Sequence, residues 1–300
     1  MRDRMDVTVV GGAGFIGRHV VRRLAILGHT VRTIDRQAPE DPQAGERAFA
    51  IDVGQERGAE EAAAATRGSD RLIWLAATIR QTSRVDLGAL EDLRVMVEAP
   101  LRLLAALPSP PAGVVYASSI QVYGRPERLP VDEDHPTRPF TAYGVAKLCG
   151  ETYLRVACGA MGIPIALLRL AFVYGPGQHP GNVIPLWLRA LRQGEAPLVH
   201  GTGLGVRDDV YVEDVARSIT LALEAGAHGT FNIAGGRPHT LLDVARAACR
   251  VAGSPAEPRH DDLDPAWVDR WYSIDRARRA IGFEPQVTLE DGLRRTWEAL

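Results

Sequence analysis

The sequence predicts an α/β protein built on a doubly wound parallel sheet, and three observations carry that expectation. Strand-like and helix-like segments alternate through the first half of the chain, the order that parallel βαβ units require. A glycine-rich turn joins the first strand to the first helix. Past about residue 170 proline and glycine multiply, which marks looser connections between shorter elements. The expected division is a first domain over 1–170 and a smaller α/β domain over 171–300, with a diffuse boundary and interleaved segments.

Taken in order, Val7–Val10 is a β-branched run, which fits a buried strand. In Gly14–Leu27 apolar residues return at helical spacing (Phe15, Ile16, Val20, Leu24, Leu27). Val31–Ile34 and Ala48–Ile51 read as the second and third strands. Alanine-rich Glu56–Thr66 reads as a helix, Arg71–Leu75 as the fourth strand, Leu87–Leu107 as one long helix and Val114–Ala117 as the fifth strand. Ala142–Met161 is a second long helix and leads into Ile165–Leu170. Beyond it, Pro176, Pro180, Pro185 and Pro197 punctuate the chain. Short helices are expected at Val212–Ala225, Leu241–Val251 and Leu289–Leu300, and polar Arg259–Asp269 reads as a loop.

A chain of 300 residues with 46% hydrophobic content is long enough for a sizeable core. The formal net charge of −2 argues against a nucleic-acid binder, which normally carries a basic excess. No apolar run approaches the ~20 residues of a membrane span, and no signal-peptide core precedes the first strand. Cys149, Cys158 and Cys249 lack metal-ligand spacing. They read as small hydrophobes in a reducing cytoplasm, and no metal is expected. Of the 35 basic residues, only Lys147 is a lysine.

Gly11-Gly12-Ala13-Gly14-Phe15-Ile16-Gly17 lies between the first strand and the first helix. Glycines there allow a tight turn, close approach of a pyrophosphate and close helix–strand packing. Free N–H groups at the helix start then face the phosphates. The sheet is therefore expected to be of Rossmann type. Asp35 closes the second strand at the position of a ribose-binding carboxylate. Its charge favours NAD over NADP, while adjacent Arg36 is able to receive a 2′-phosphate, so both cofactors stay open. Asp52-Val53, after the third strand, either reaches the adenine or is an ordinary strand-end turn.

Tyr143 and Lys147 are spaced i, i+4, which puts both side chains on one helix face. A free tyrosine titrates near ~10, and a neighbouring ammonium is expected to lower that value. Tyr143 is then able to exchange a proton with a sugar hydroxyl or carbonyl while hydride moves to or from a nicotinamide. Lysine is a compact point charge and suits this place better than arginine. Ser118-Ser119 follows the fifth strand, whose end borders the cofactor crevice. A hydroxyl there either orients the reacting oxygen or belongs to a turn.

Together these residues resemble the extended short-chain dehydrogenase/reductase family, the NAD-dependent epimerases and dehydratases of nucleotide sugars. Gly11–Gly17 resembles its GxxGxxG, and Leu75-Ala76-Ala77 its HLAA segment, with Trp74 where histidine is usual. Ser118-Ser119-Ile120-Gln121-Val122-Tyr123-Gly124 is similar to SSxxVYG, and Tyr143–Lys147 to YxxxK. Val173–Pro176 is similar to VYGP, and Arg207–Val215 to RDFVYVDDV. The resemblance implies Ser119, Tyr143 and Lys147 as catalytic residues and a nucleotide-diphosphate sugar as substrate. It places Leu75, Ala76 and Ala77 at the cofactor, Arg207 on the substrate diphosphate, Asn182 at the nucleotide and Arg259 as a second clamp. It also suggests a homodimer through helices near 87–107 and 142–161. The Thr78–Leu90 segment, with Arg80 and Arg84, is expected to border the sugar pocket.

Departures narrow the chemistry. Ile120 and Gln121 stand where the family's dehydratases have Asp-Glu, so acid–base removal of water is not expected. Neither the cysteine of the 3,5-epimerases nor the glutamate of the decarboxylases is present at Gln121. Met96 and Phe172 each replace an asparagine that is common in the family. The expected function is an NAD-dependent 4-epimerase that oxidises C4 transiently and returns the hydride. A 4-ketoreductase of deoxysugar nucleotides and a non-catalytic NAD(P)-binding redox sensor are the alternatives.

Overall fold

The computed structural model describes residues 4–78, 88–263 and 267–300. In chain order these run β1 (Asp6–Val10), α1 (Phe15–Ile26), β2 (Thr30–Asp35), β3 (Glu46–Ala50), α2 (Gly58–Thr66), β4 (Arg71–Trp74), α3 (Gly88–Leu93), a π-helical turn (Arg94–Glu98), α4 (Ala99–Ala106) and β5 (Val114–Ser119). They continue with a 3₁₀ turn (Ile120–Tyr123), α5 (Ala142–Ala160), β6 (Ile165–Leu170), β7 (Phe172–Tyr174), α6 (Val183–Arg192), β8 (Leu198–His200) and β9 (Val206–Arg207). Last come β10 (Asp209–Tyr211), α7 (Val212–Glu224), β11 (Gly229–Ile233), β12 (His239–Thr240), α8 (Leu241–Val251), β13 (Arg259–Asp261), α9 (Asp275–Ile281) and α10 (Leu289–Glu298).

The central sheet has seven strands in the order β11-β6-β5-β4-β1-β2-β3, and every pairing in it is parallel. This is the Rossmann-like arrangement expected from the alternation. Side chains alternate across such a sheet, and both faces are covered by helices. Val7, Val9, Val115, Ala117, Ala166 and Leu168 join one core with Val20 and Leu24 of α1 and Val215 and Ile219 of α7. Val10, Val114, Tyr116, Ile165 and Leu167 join the opposite core with Ala62 of α2, Leu103 of α4 and Leu154 of α5. A third core under the second half gathers Trp187 and Leu188 of α6, Val244 and Ala248 of α8 and Leu293 of α10.

The order in which successive strands are added reverses between β1 and β4, which opens a crevice at the carboxyl ends of the strands. The seventh strand, β11, comes from beyond residue 170.

Three differences from the sequence expectation have physical causes. The long helix expected over Leu87–Leu107 is interrupted by the π turn. Pro100 has no N–H to give the Met96 carbonyl, and the Tyr116 hydroxyl supplies that bond instead at 3.0 Å. Helix α6 was hidden by Pro185. That proline lies in the first turn, where backbone N–H groups have no helical partner to lose. The loop expected over Arg259–Asp269 begins as a strand, β13, because β8 offers an edge for parallel pairing. Leu87 and the segment 79–87, with Arg80 and Arg84, lie outside the described residues.

Candidate active site

The crevice is built by the turn from β1 into α1. Gly11 has φ +86, and a Cβ there would lie 2.6 Å from the Ala76 backbone nitrogen. A Cβ on Gly17 would lie 2.1 Å from the Gly11 carbonyl oxygen. Only glycine brings α1 this close to the strand ends. Gly14 starts α1 without a side-chain cap, and its first turn carries no acidic residue. The N–H groups at this helix end are therefore disposed toward an anion.

One cleft of about 230 Å³ gathers Gly11, Gly14, Phe15, Ile16, Gly17, Asp35, Arg36, Asp52, Val53, Leu75, Ala76 and Ala77. These are all the residues the sequence assigned to the cofactor apart from Tyr143 and Lys147. Asp35 Oδ2 accepts from Ala13 N at 3.0 Å and Oδ1 from Arg36 N at 2.8 Å, so the carboxylate is fixed at the mouth. Asp52 caps its own turn, accepting from Gly54 N at 2.9 Å. Sequence reading missed Thr78, Glu91 and Val95, which line the same cleft. The cradle fits a dinucleotide: a glycine floor, a bare helix N-terminus for the pyrophosphate and a carboxylate placed for ribose hydroxyls.

Ser119, Tyr143 and Lys147 meet at the ends of β5 and α5. Ser119 ends β5, and its hydroxyl accepts from Gln121 N at 3.2 Å. Thr141 caps α5 by accepting from Gly144 N at 3.0 Å and donates to Gln121 Oε1 at 2.8 Å. One hydroxyl thus locks the 3₁₀ turn to the helix that carries the tyrosine. Lys147 is buried, and its Nζ donates to the Ala117 carbonyl at 2.6 Å. The ammonium lies 4.9 Å from the Tyr116 ring centroid and 5.7 Å from that of Tyr143.

The charge states run against the sequence expectation. Burial pushes the Tyr143 phenol up to about 12, against a hydrogen bond with Ser119 that pulls it down. Burial also brings the Lys147 ammonium down to about 7, although Glu151 and Asp92 favour its charge. Desolvation is the largest cause of both shifts, and at the tyrosine the negative charge of Asp92 adds to it.

A buried polar network lies under this trio and was not found from sequence. Glu151 is one turn beyond Lys147 on α5. It accepts from Arg169 Nε at 2.9 Å and Nη2 at 2.7 Å, and from the Ser118 hydroxyl. Arg169 also stacks on the Tyr123 ring at 4.7 Å, and Tyr123 donates to Asn232 Oδ1 at 2.6 Å. The i, i+4 step from Lys147 to Glu151 was a usable signal. The partner on β6 was not.

The residues expected at the substrate are dispersed. Arg207 is buried, pairs with Asp209 at 2.5 Å and stacks on Phe172 with its guanidinium carbon 4.4 Å from the ring centroid. Asn182 stands at the N-terminal boundary of α6. Arg259 is exposed at the start of β13, where its N–H bonds the Pro197 carbonyl. The residues after it, His260–Leu263, face His200–Gly203 across a cleft of about 620 Å³ walled by Trp267 and Leu241. Strand β9 borders this cleft, since the Trp267 indole donates to the Val206 carbonyl at 3.3 Å.

Fold and site define a dinucleotide-binding enzyme with a tyrosine–lysine pair at the crevice. A model of the NAD dependent epimerase/dehydratase family matches residues 7–234, and the chain belongs to that family. It is an NAD-dependent enzyme of the extended short-chain dehydrogenase/reductase type. It is 31% identical over 311 residues to a UDP-glucose 4-epimerase of Mycolicibacterium smegmatis, covering 98% of each chain. The structure of UDP-glucose 4-epimerase from Thermotoga maritima with UDP-glucose superimposes with a TM-score of 0.87 at 28% identity, covering 98% of both chains. MoeE5 in complex with UDP-glucuronic acid and NAD gives 0.84 at 28% identity, also covering 98% of both chains. Among the described residues no helix is long and apolar enough to cross a membrane.

Proposed function

We propose that this protein is a nucleotide-sugar 4-epimerase. One observation carries the reading: Tyr143, Ser119 and Lys147 converge beside the cofactor cleft, while the side chain after Ile120 is a glutamine bound by Thr141. A reaction that needs only one proton-exchanging group and a reversible hydride acceptor suits that set. NAD, when bound, supplies the hydride acceptor and donor and a positive ring. The chain's residues do the rest. The glycine turn and the start of α1 hold the pyrophosphate, and Asp35 takes ribose hydroxyls. Ser119 orients the C4 oxygen, and Tyr143 takes and returns its proton. Arg207 holds the diphosphate while the sugar turns, and the cleft between His200–Gly203 and His260–Leu263 receives the nucleotide.

Two further expectations belong to this reading. Leu90, Leu93, Val145, Tyr153 and Val156 leave an apolar face exposed on α3 and α5, which supports a homodimer through these helices. Three free cysteines support a cytoplasmic location.

The deciding experiment incubates purified protein and NAD with sugar nucleotides. The expected result is interconversion of C4 epimers with no net consumption of reduced cofactor. Stoichiometric oxidation of NADPH by a 4-keto sugar nucleotide, without redox-neutral epimerisation, would overturn the reading in favour of a ketoreductase. Tyr143→Phe should lose turnover by at least about 100-fold while keeping NAD binding.

A further inference from the structure

Two strands that carry no cofactor residue meet at Arg207. Strands β7 and β10 pair in parallel, and Asp209 is the register partner of Phe172. Arg207 lies against both: Nη2 donates to Asp209 Oδ1, and the guanidinium covers the Phe172 ring. The Asp209 side chain has no exposed surface. Among the described residues Asp209 Oδ2 and Arg207 Nε are buried without hydrogen-bond partners. Asp209 is also among the residues lining a cavity of about 300 Å³, with Arg237, His239 and Arg250.

We propose that Asp209 is a positioning residue, a counter-ion that weakens the hold of Arg207 on a diphosphate. The inference rests on the reading of Arg207 as the diphosphate clamp. A buried guanidinium with no counter-charge is strongly unfavourable, and Asp209 supplies that charge in the free protein. The aromatic face of Phe172 fixes the plane of the fork. A diphosphate therefore meets an arginine whose charge is already balanced. Its own negative charge is brought close to a carboxylate that has one oxygen without a donor. The arrangement keeps the geometry of the clamp and reduces its attraction. That suits an enzyme whose sugar has to turn and then leave.

The test measures binding of UDP, dTDP and GDP, and of NAD, by calorimetry. Asp209→Asn keeps an acceptor for Arg207 and removes the charge. It should tighten nucleoside-diphosphate binding roughly threefold to tenfold, with NAD affinity unchanged. Phe172→Leu removes the aromatic face and should weaken the same binding to a similar degree, again without changing NAD. Unchanged or weaker diphosphate binding in Asp209→Asn, with NAD affinity and melting temperature intact, overturns the proposal. If Asp209→Asn does not fold, Phe172→Leu decides, and unchanged diphosphate affinity there also overturns it. Failure of the wild-type protein to bind any of the three diphosphates overturns the clamp reading itself, and that result is distinct from either variant outcome.

Discussion

At the scale of single residues, Lys147 shows how far environment decides chemistry. Its side chain is packed between two tyrosine rings and bonded to a strand carbonyl. Lys147→Arg keeps the charge but inserts a larger planar group into a closed site, where overpacking costs about 1–3 kcal/mol. Turnover should fall at least about tenfold while the fold is kept, and near-normal activity would show that charge alone is needed. The titration of Lys147 gives a second prediction. Its value falls from 10.5 in the unfolded chain to about 7 in the fold. Between those values the unfolded chain binds the proton more tightly, so stability rises with pH across that window. Urea unfolding of the cofactor-free protein from pH 7 to 10 should show this rise, and Lys147→Met should flatten it. Equal slopes in the two proteins would sink the assignment. The spacing of Tyr143 and Lys147 was legible in the sequence because it lies within one helix. The charge state was not, because it is set by burial under distant elements, against which Glu151 and Asp92 favour the charged form.

At the scale of elements, local signals were read well where the bonding is local. Helix α8 and strand β6 have the bounds expected from pattern alone. Thr240 and Asp243 form a capping box that stops α8 at its first residue. The interrupted helix before β5 is the opposite case. Pro100 leaves the Met96 carbonyl without its helical donor, and Tyr116 supplies one from a strand twenty residues later in the chain. Tyr116→Phe should therefore destabilise the protein by about 1–3 kcal/mol, the cost of a buried carbonyl left unpaired. Pro100→Ala restores an N–H and should recover part of that loss in the double variant. Strictly additive effects in urea titrations would show that the two groups do not share the carbonyl.

At the scale of the whole molecule, the proposed dimer rests on an apolar face that the fold leaves uncovered on α3 and α5. Val156 is 69% exposed and Tyr153 is 58% exposed. Val156→Glu should shift the protein to monomer in sedimentation while leaving its melting behaviour cooperative. A wild-type protein already monomeric at micromolar concentration would remove the basis for this interface. The sequence by itself determined the alternation of strands and helices, the glycine turn with its carboxylate, and the tyrosine–lysine pair. Each of these is written in residues close together in the chain, where periodicity and short-range sterics act. Only the tertiary structure decided that Lys147 is desolvated, that Glu151 is held by Arg169, and that Arg207 is balanced between Phe172 and Asp209. Phe172 and Arg169 reach their partners from distant stretches of the chain, and even Asp209, two residues from Arg207, is buried beside it only where β10 pairs with β7.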